Sequence, residues 1–302
     1  MRPLAIKQSG RFLGANAGWE EARVVLVGVP LDDTVSFRPG TRLAPSRIRE
    51  VSESLEEYSL RLDRSLEEVG PYDAGDLELV PGSTVENLER IEGCAAWVLE
   101  SGKNLAVIGG EHLLTYGVIR ALIKHYPDLV VLQWDAHADL RSEYQGARFS
   151  HATVMRRVRE LGVPVYQVGI RSVAPEEREP VRELRAQPVL LSQGQPVSDK
   201  KQGAIWTEDL AAPVGELVSR LKGRPVYLSL DIDVVDPGYA PGTGCPEPGG
   251  VAPREVLQAI ERLQELDLVG FDLVEVNPMV DAGDCTSFLA AKLIRELLLA
   301  MA

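Results

Sequence analysis

The chain has 302 residues, 45% of them hydrophobic, and carries a net charge of −13 from 45 acidic and 32 basic side chains. That length holds one large domain or two small ones, with enough apolar residues for a full core. The acidic balance argues against nucleic acid as a partner and suits a small cation. No apolar run reaches the length of a membrane span, and residues 1–19 lack the apolar stretch of a signal peptide. Cys94, Cys245 and Cys285 are odd in number and stand at no metal-ligand spacing. They point to a reducing compartment, so a cytoplasmic location is expected.

After an N-terminal extension, residues 1–20, Val24–Val29 reads as a first short apolar strand. A helical pattern covers Val85–Ser101. The strand Asn104–Ile108 follows and runs into Gly109-Gly110-Glu111-His112, with a helix over His112–His125. Leu129–Trp134 is a buried apolar strand that leads directly into Asp135-Ala-His137-Ala-Asp139. A helix is expected over Ser150–Leu161 and a strand over Pro164–Ile170. Gln187–Asp209 is polar and rich in Gln, Ser and Lys, and reads as a loop excursion or a poorly formed strand and helix. The helix Pro213–Lys222 precedes the strand Pro225–Leu230, which ends in Asp231-Ile-Asp233. The helix Pro253–Glu265, the strand Leu268–Asp272 and the helix Thr286–Ala302 complete the chain. No linker, charge block or repeat divides it. The alternation predicts a single α/β domain, 1–302, with three α/β/α layers around a mostly parallel sheet.

Three of these strands deliver acidic or imidazole side chains at their C-terminal ends, the edge where an open α/β sheet binds ligands. Alternate residues of a strand face one side, so Asp135, His137 and Asp139 can aim at one point, as can Asp231 and Asp233. Singly, each cluster could be a helix cap or a packing turn. Together, four aspartates and two histidines would repel one another and resist desolvation unless a cation joined them. Carboxylates and imidazoles without thiolate favour hard or borderline ions. Four aspartates carry too much charge for one divalent ion, and two ions about 3.5–4 Å apart fit better. Mn²⁺ is the first choice, with Zn²⁺, Co²⁺ or Fe²⁺ as alternatives.

Gly-Gly-Glu-His112, Asp135-Ala-His137-Ala-Asp139, Ser150-His151-Ala-Thr, Ser229-Leu-Asp231-Ile-Asp233 and Glu275-Val-Asn-Pro278 resemble, in that order, the ureohydrolase (arginase/agmatinase) superfamily. The resemblance runs from about Val24 to the C-terminus. The tracts Ser36–Arg42, Ala240–Gly250 and Arg148–Arg157 look most like its agmatinase branch. The resemblance implies an arginase-like fold and a reaction that cleaves a guanidino group to urea and an amine, agmatine giving putrescine. It implies two Mn²⁺ per subunit, one held by His112, Asp135, Asp139 and Asp231, the other by His137, Asp135, Asp231 and Asp233. Asp135 and Asp231 would bridge, and a hydroxide would lie between the ions. Glu275 would hold the guanidinium, Asp139 would accept a hydrogen bond from the hydroxide, and His151 would shuttle a proton to the leaving amine. A homotrimer or homohexamer is also implied.

The sequence leaves the substrate open. An acidic Glu143 facing an amine would suit agmatine or aminopropylagmatine. Arg141, Arg148 or Arg38 facing a carboxylate would suit guanidinobutyrate or another guanidino acid. The loop after Asp139 lacks the Ser-Gly-Asn run of arginases, which weakens the case for arginine. Arg171 reads as structural. Two departures stand out. Glu111 replaces the usual Asp and would shift His112 slightly, and Cys245 stands where the family usually has Thr. A binuclear metallophosphoesterase also starts from Asp-x-His but needs further histidines downstream, and the four histidines here end at His151. A single-zinc or non-catalytic homologue is a further reading, opposed by the intact set of site residues.

Overall fold

The computed structural model describes residues 6–186, 204–206 and 210–301. The reading of Gln187–Asp209 lies outside these residues except at 204–206. The strands are β1 (Ile6–Lys7), β2 (Val24–Val29), β3 (Tyr58–Ser59), β4 (Arg64–Ser65), β5 (Tyr72–Leu77), β6 (Asn104–Gly109), β7 (Val130–Trp134), β8 (Val165–Val168), β9 (Ala204–Trp206), β10 (Pro225–Asp231) and β11 (Asp267–Val274). The α-helices are α1 (Ala44–Ser52), α2 (Leu66–Val69), α3 (Thr84–Glu100), α4 (Leu114–His125), α5 (Val154–Glu160), α6 (Arg178–Ala186), α7 (Ala211–Leu221), α8 (Pro253–Leu263) and α9 (Cys285–Ala300).

Among the described residues, nine strands form one sheet in the order β1-β5-β2-β6-β11-β10-β7-β8-β9, while β3 and β4 make a separate hairpin. Every pairing in the large sheet is parallel except that of β1 with β5. Both faces are covered, as a parallel sheet requires. The period of two along β2 sends Val24 and Leu26 to one core, shared with α1, α7, α8 and α9. Val25, Val27 and Val29 go to the other, shared with α3, α4 and α5. The α/β/α layering therefore stands as the strand-and-helix alternation implied.

Residues 6–20 do not stand apart from the sheet. Ile6 and Lys7 pair with Leu77 and Asp76, and Phe12 and Ala15 are buried.

Strand β5 has no apolar signature, since it reads Tyr-Asp-Ala-Gly-Asp-Leu. Its charges are answered from α1. Buried Arg49 donates to both oxygens of Asp73 at 2.8 and 2.9 Å and also reaches Asp76. Asp73 accepts the Phe12 N–H as well, tying in the N-terminal segment. Arg49→Met would leave the Asp73 carboxylate buried and uncompensated, at a cost of about 3–5 kcal/mol. The expected result is a lower urea midpoint with an unchanged slope.

The sheet order matters most at its centre. β6, β11, β10 and β7 are neighbours, and their C-terminal ends are in register: Ile108 lies beside Leu273, Asp231 beside Val274, and Leu230 beside Trp134. Side chains just beyond those four ends must converge.

Candidate metal centre and active site

The proposed metal ligands and Glu275 sit at or just past these ends, while His151 comes from further along the chain after β7. Gly110 makes the first turn possible. A Cβ there would stand 2.0 Å from the Leu31 carbonyl oxygen, so the backbone passes where no other residue fits. That close approach lets Glu111 N–H bond to the Leu31 carbonyl and the Gly110 carbonyl accept from Glu275 N–H. His112 then enters the site fully buried. Its Nε2 is 2.8 Å from Ser229 Oγ, and that hydroxyl donates to Asp272. Asp272 also accepts from Thr115 and Tyr227, both at 2.8 Å. With the Ser229 proton on Asp272, Ser229 can only accept from His112. The ring therefore carries a proton on Nε2 and turns Nδ1 inward; burial opposes charge on it, but the facing Asp135, Asp139 and Asp231 hold it well above its ordinary pKa.

That Nδ1 is buried without a hydrogen-bond partner. It faces Asp135 Oδ2 and Asp139 Oδ2 at 3.2 Å and Asp231 Oδ2 at 3.3 Å. The second group is Asp135, His137 and Asp233, with His137 Nδ1 2.8 Å from Asp233 Oδ2. Asp135 belongs to both groups able to hold a metal ion. Backbone amides fix the carboxylates. His137 N–H donates to Asp135 Oδ1, Ala136 N–H to Asp233 Oδ1, and Asp233 N–H to Asp231 Oδ1. Asp139 adopts a left-handed φ of 54° and Glu275 one of 65°, conformations a non-glycine residue holds only under constraint.

The electrostatics are those of a crowded acidic site. Burial, then Asp233 and Asp139, push Asp135 up to about 7. Asp231 is raised well above the carboxylate range by burial, then by Asp233 and Asp135. Burial opposes charge on His137, but Asp233 outweighs it and lifts the ring to about 11, while His137 draws Asp233 down to about 2 against burial. Glu275 is pushed up to about 8, first by burial. Asp135, Asp231 and His137 therefore hold protons that a divalent cation would replace.

A cavity of about 220 Å³ opens onto this cluster, lined by His112, His137, Asp139, Asp231, Asp233, His151 and Glu275. Thus all the candidate residues meet at one place except Asp135, which lies sealed beneath. Glu275 Oε1 accepts the His112 N–H at 2.7 Å and makes no ion pair with Arg171. Arg171 instead donates to the carbonyls of Gly169, Asp233, Val234 and Glu247, which is a structural role. His151 opens a 3₁₀ turn at 151–153, its ring edge-on to Tyr144 and its pKa lowered, chiefly by burial.

Several expectations about the cavity change. Glu143 is exposed and does not line it; the neighbouring Tyr144 does. Arg148 pairs with Glu160 outside, while Arg141 lines the cavity, stacks on Tyr144 and pairs with Glu176 at 3.3 Å. Glu111 leaves His112 among its carboxylates and spends its side chain on Thr34. Thr34 had no part in the sequence reading, although Asp32-Asp33-Thr34 lies just beyond β2 on the same sheet edge. Cys245 lines the cavity beside Thr243 and Gly244.

Known proteins share this sequence and fold. The sequence pattern of the arginase family matches residues 22–300. The chain is 43% identical over 292 residues to the agmatinase of Bacillus subtilis, covering 95% of each. It is 37% identical over 264 residues to the N(1)-aminopropylagmatine ureohydrolase of Thermus thermophilus, covering 87% of this chain and 85% of that one. The agmatine ureohydrolase structure from Thermoplasma volcanium superposes with a TM-score of 0.81 at 34% identity, covering 99% of this chain and 95% of that one. The strand-end motifs, their convergence on one acidic cavity and these matches place the chain in the arginase family, hydrolases that act on guanidino groups.

Proposed function

We propose that this protein is a binuclear manganese ureohydrolase that converts agmatine to putrescine and urea. The observation that carries the reading is His112 Nδ1, buried and unpartnered, 3.2–3.3 Å from three carboxylate oxygens. An imidazole lone pair and three carboxylates around one point are a cation's donor set, and the lack of thiolate favours a hard or borderline ion. His112, Asp135, Asp139 and Asp231 would hold one ion, and His137, Asp135, Asp231 and Asp233 the other. Mn²⁺ is preferred over Zn²⁺, Co²⁺ or Fe²⁺. Metal ions held there would lower the pKa of water and so supply the nucleophile that a guanidinium carbon needs.

The chain's own groups do the rest. Glu275 has one oxygen anchored by the His112 N–H, which leaves the other for charge-assisted hydrogen bonds to the guanidinium. That orients the carbon toward the acidic cluster. Asp139 accepts a hydrogen bond from the attacking water. His151, held neutral near pH 7 by burial, relays a proton to the leaving nitrogen. Water and the guanidine thereby give urea and a primary amine. The acidic cavity favours a cationic tail, with the charge of Arg141 answered by Glu176. The place of Arg141 in the cavity wall favours a guanidino acid as the second reading. The assembly is proposed as a cytoplasmic homotrimer or homohexamer.

Urea release by manganese-loaded protein, compared for agmatine, arginine, guanidinobutyrate and aminopropylagmatine, tests the proposal. Preference for agmatine supports it. Preference for the guanidino acid gives Arg141 a binding role, and no urea from any of them sinks the reading. Protons supply a further check. His137 holds its proton up to about 11 and Asp135 up to about 7. Lower pH leaves more protons to expel, so manganese affinity should rise with pH between about 6 and 8, with net proton release. Calorimetry in buffers of different ionisation enthalpy measures both; a pH-independent affinity would contradict the ligand set.

A further inference from the structure

The hydroxyl of Thr34 joins three loops that are far apart in sequence. Glu111, fully buried, accepts the Thr34 N–H on Oε2 at 2.7 Å and the Thr34 hydroxyl on Oε1 at 3.0 Å. Thr34 Oγ1 in turn accepts the His151 N–H at 3.1 Å and lies 3.4 Å from His151 Nδ1. The opposite constraint on the ring is Tyr144, edge-on with centroids 5.5 Å apart. Neither Thr34 nor Glu111 lines the cavity. A buried carboxyl group whose two oxygens both accept from one threonine, whose hydroxyl oxygen accepts in turn from one histidine, costs desolvation that packing alone does not require. An aspartate at 111 is one methylene shorter and would reach less far toward Thr34.

We propose that Glu111 and Thr34 are a positioning pair for His151: the hydroxyl of Thr34, oriented by Glu111, engages both the backbone N–H and Nδ1 of His151. This leaves Nε2 as the ring atom that exchanges a proton with the reacting guanidine. The inference rests on the ureohydrolase reading for the role of His151, but the contact itself is independent of turnover.

The test uses the manganese-loaded full chain with Thr34→Val, Thr34→Ser, His151→Asn and the Thr34→Val/His151→Asn double variant. Thr34→Val is expected to lower kcat about 10–100-fold, part of what a general acid–base group supplies. KM and manganese content should be unchanged. Thr34→Ser, which restores the hydroxyl, should recover most of the rate. In the His151→Asn background, Thr34→Val should cost nothing further, because the two act as one unit. A Thr34→Val loss that persists in full without His151 overturns the proposal, as does wild-type kcat in Thr34→Val. Should Thr34→Val lose its circular dichroism signal, Thr34→Ala takes its place in each comparison.

A second readout needs no turnover. In the imidazole ¹⁵N spectrum of metal-free protein, the His151 signals are identified by their loss in His151→Asn. The Nδ1 signal should move in Thr34→Val and return in Thr34→Ser. An unmoved signal defeats the positioning role. A moved signal with no urea from any guanidine defeats only the ureohydrolase reading.

Discussion

Asp231→Asn is expected to stabilise the metal-free protein while abolishing its activity. Asp231 is buried at the junction of the two groups, with Oδ1 accepting the Asp233 N–H at 2.9 Å and Oδ2 facing His112 Nδ1 at 3.3 Å. Asparagine reproduces the first contact through its carbonyl. Its amide then faces His112 Nδ1. Asparagine is neutral without binding a proton, whereas Asp231 sits well above the carboxylate range through burial, then Asp233 and Asp135, and must take up a proton on folding. A relief of about 1 kcal/mol would raise the metal-free Tm by roughly 2–4 °C. The same amide blocks the point where a cation would bind. Manganese should fall from two ions to one or none, and its stabilisation of the fold should shrink with it. Metal catalysis supplies several kcal/mol, so urea release should drop by at least about 10³-fold. Melting with and without manganese, metal analysis and urea assay read all three effects. Full manganese binding in Asp231→Asn would remove Asp231 from the ligand set.

Glu275→Gln should separate substrate binding from metal binding. Glutamine keeps the shape, and its carbonyl can still take the His112 N–H. Its amide, however, meets the guanidinium donor to donor. The lost charge-assisted bonds are worth about 1.5–3 kcal/mol, and the donor clash adds to them, for a fall of about 10²–10³-fold in kcat/KM. Manganese content should not change, because Glu275 lies outside the proposed ligand set, with one oxygen taken by the His112 N–H. Stability should move the other way. Burial raises Glu275 from its ordinary 4.5 to about 8, so the folded metal-free protein binds the extra proton between those values and loses stability as pH rises through them. Glutamine lacks that penalty. Its advantage should be absent below about pH 4.5 and complete above about pH 8. A kcat/KM close to wild type would remove Glu275 from guanidinium binding.

Both variants trade stability for function because the fold concentrates unfavourable groups at one sheet edge. How much of that edge the sequence announced depended on the kind of signal. Strands β2, β6, β7, β10 and β11 were legible because each is a short run buried on both faces, and hydrophobic runs bounded by turns are local signals. The acidic and imidazole residues at their ends were legible for the same reason, since spacing within five residues fixes which side chains share a face. Strand β5 was not, because Tyr-Asp-Ala-Gly-Asp-Leu becomes a strand only when Arg49 of α1 neutralises Asp73 and Asp76. Helix α6 was missed too; its buried apolar face is Val181 and Leu184, set among Arg178, Glu179, Arg182, Glu183 and Arg185.

The sequence by itself determined the layered α/β class, the three strand ends that carry acidic and imidazole side chains, and the donor types that select a hard or borderline cation. Those follow from periodicity and chemical identity, which act over a few residues. Only the tertiary structure decided that β6, β11, β10 and β7 lie side by side, so that Asp135 enters both groups and His112 Nδ1 faces three carboxylates. It alone turned Glu143 to solvent, put Arg141 in the cavity wall, and closed the contact from Glu111 through Thr34 to His151 across 117 residues of sequence. Such contacts are set by strand order and by the loops that cross the sheet edge, and no local pattern in the chain encodes which distant loops will share a single hydroxyl.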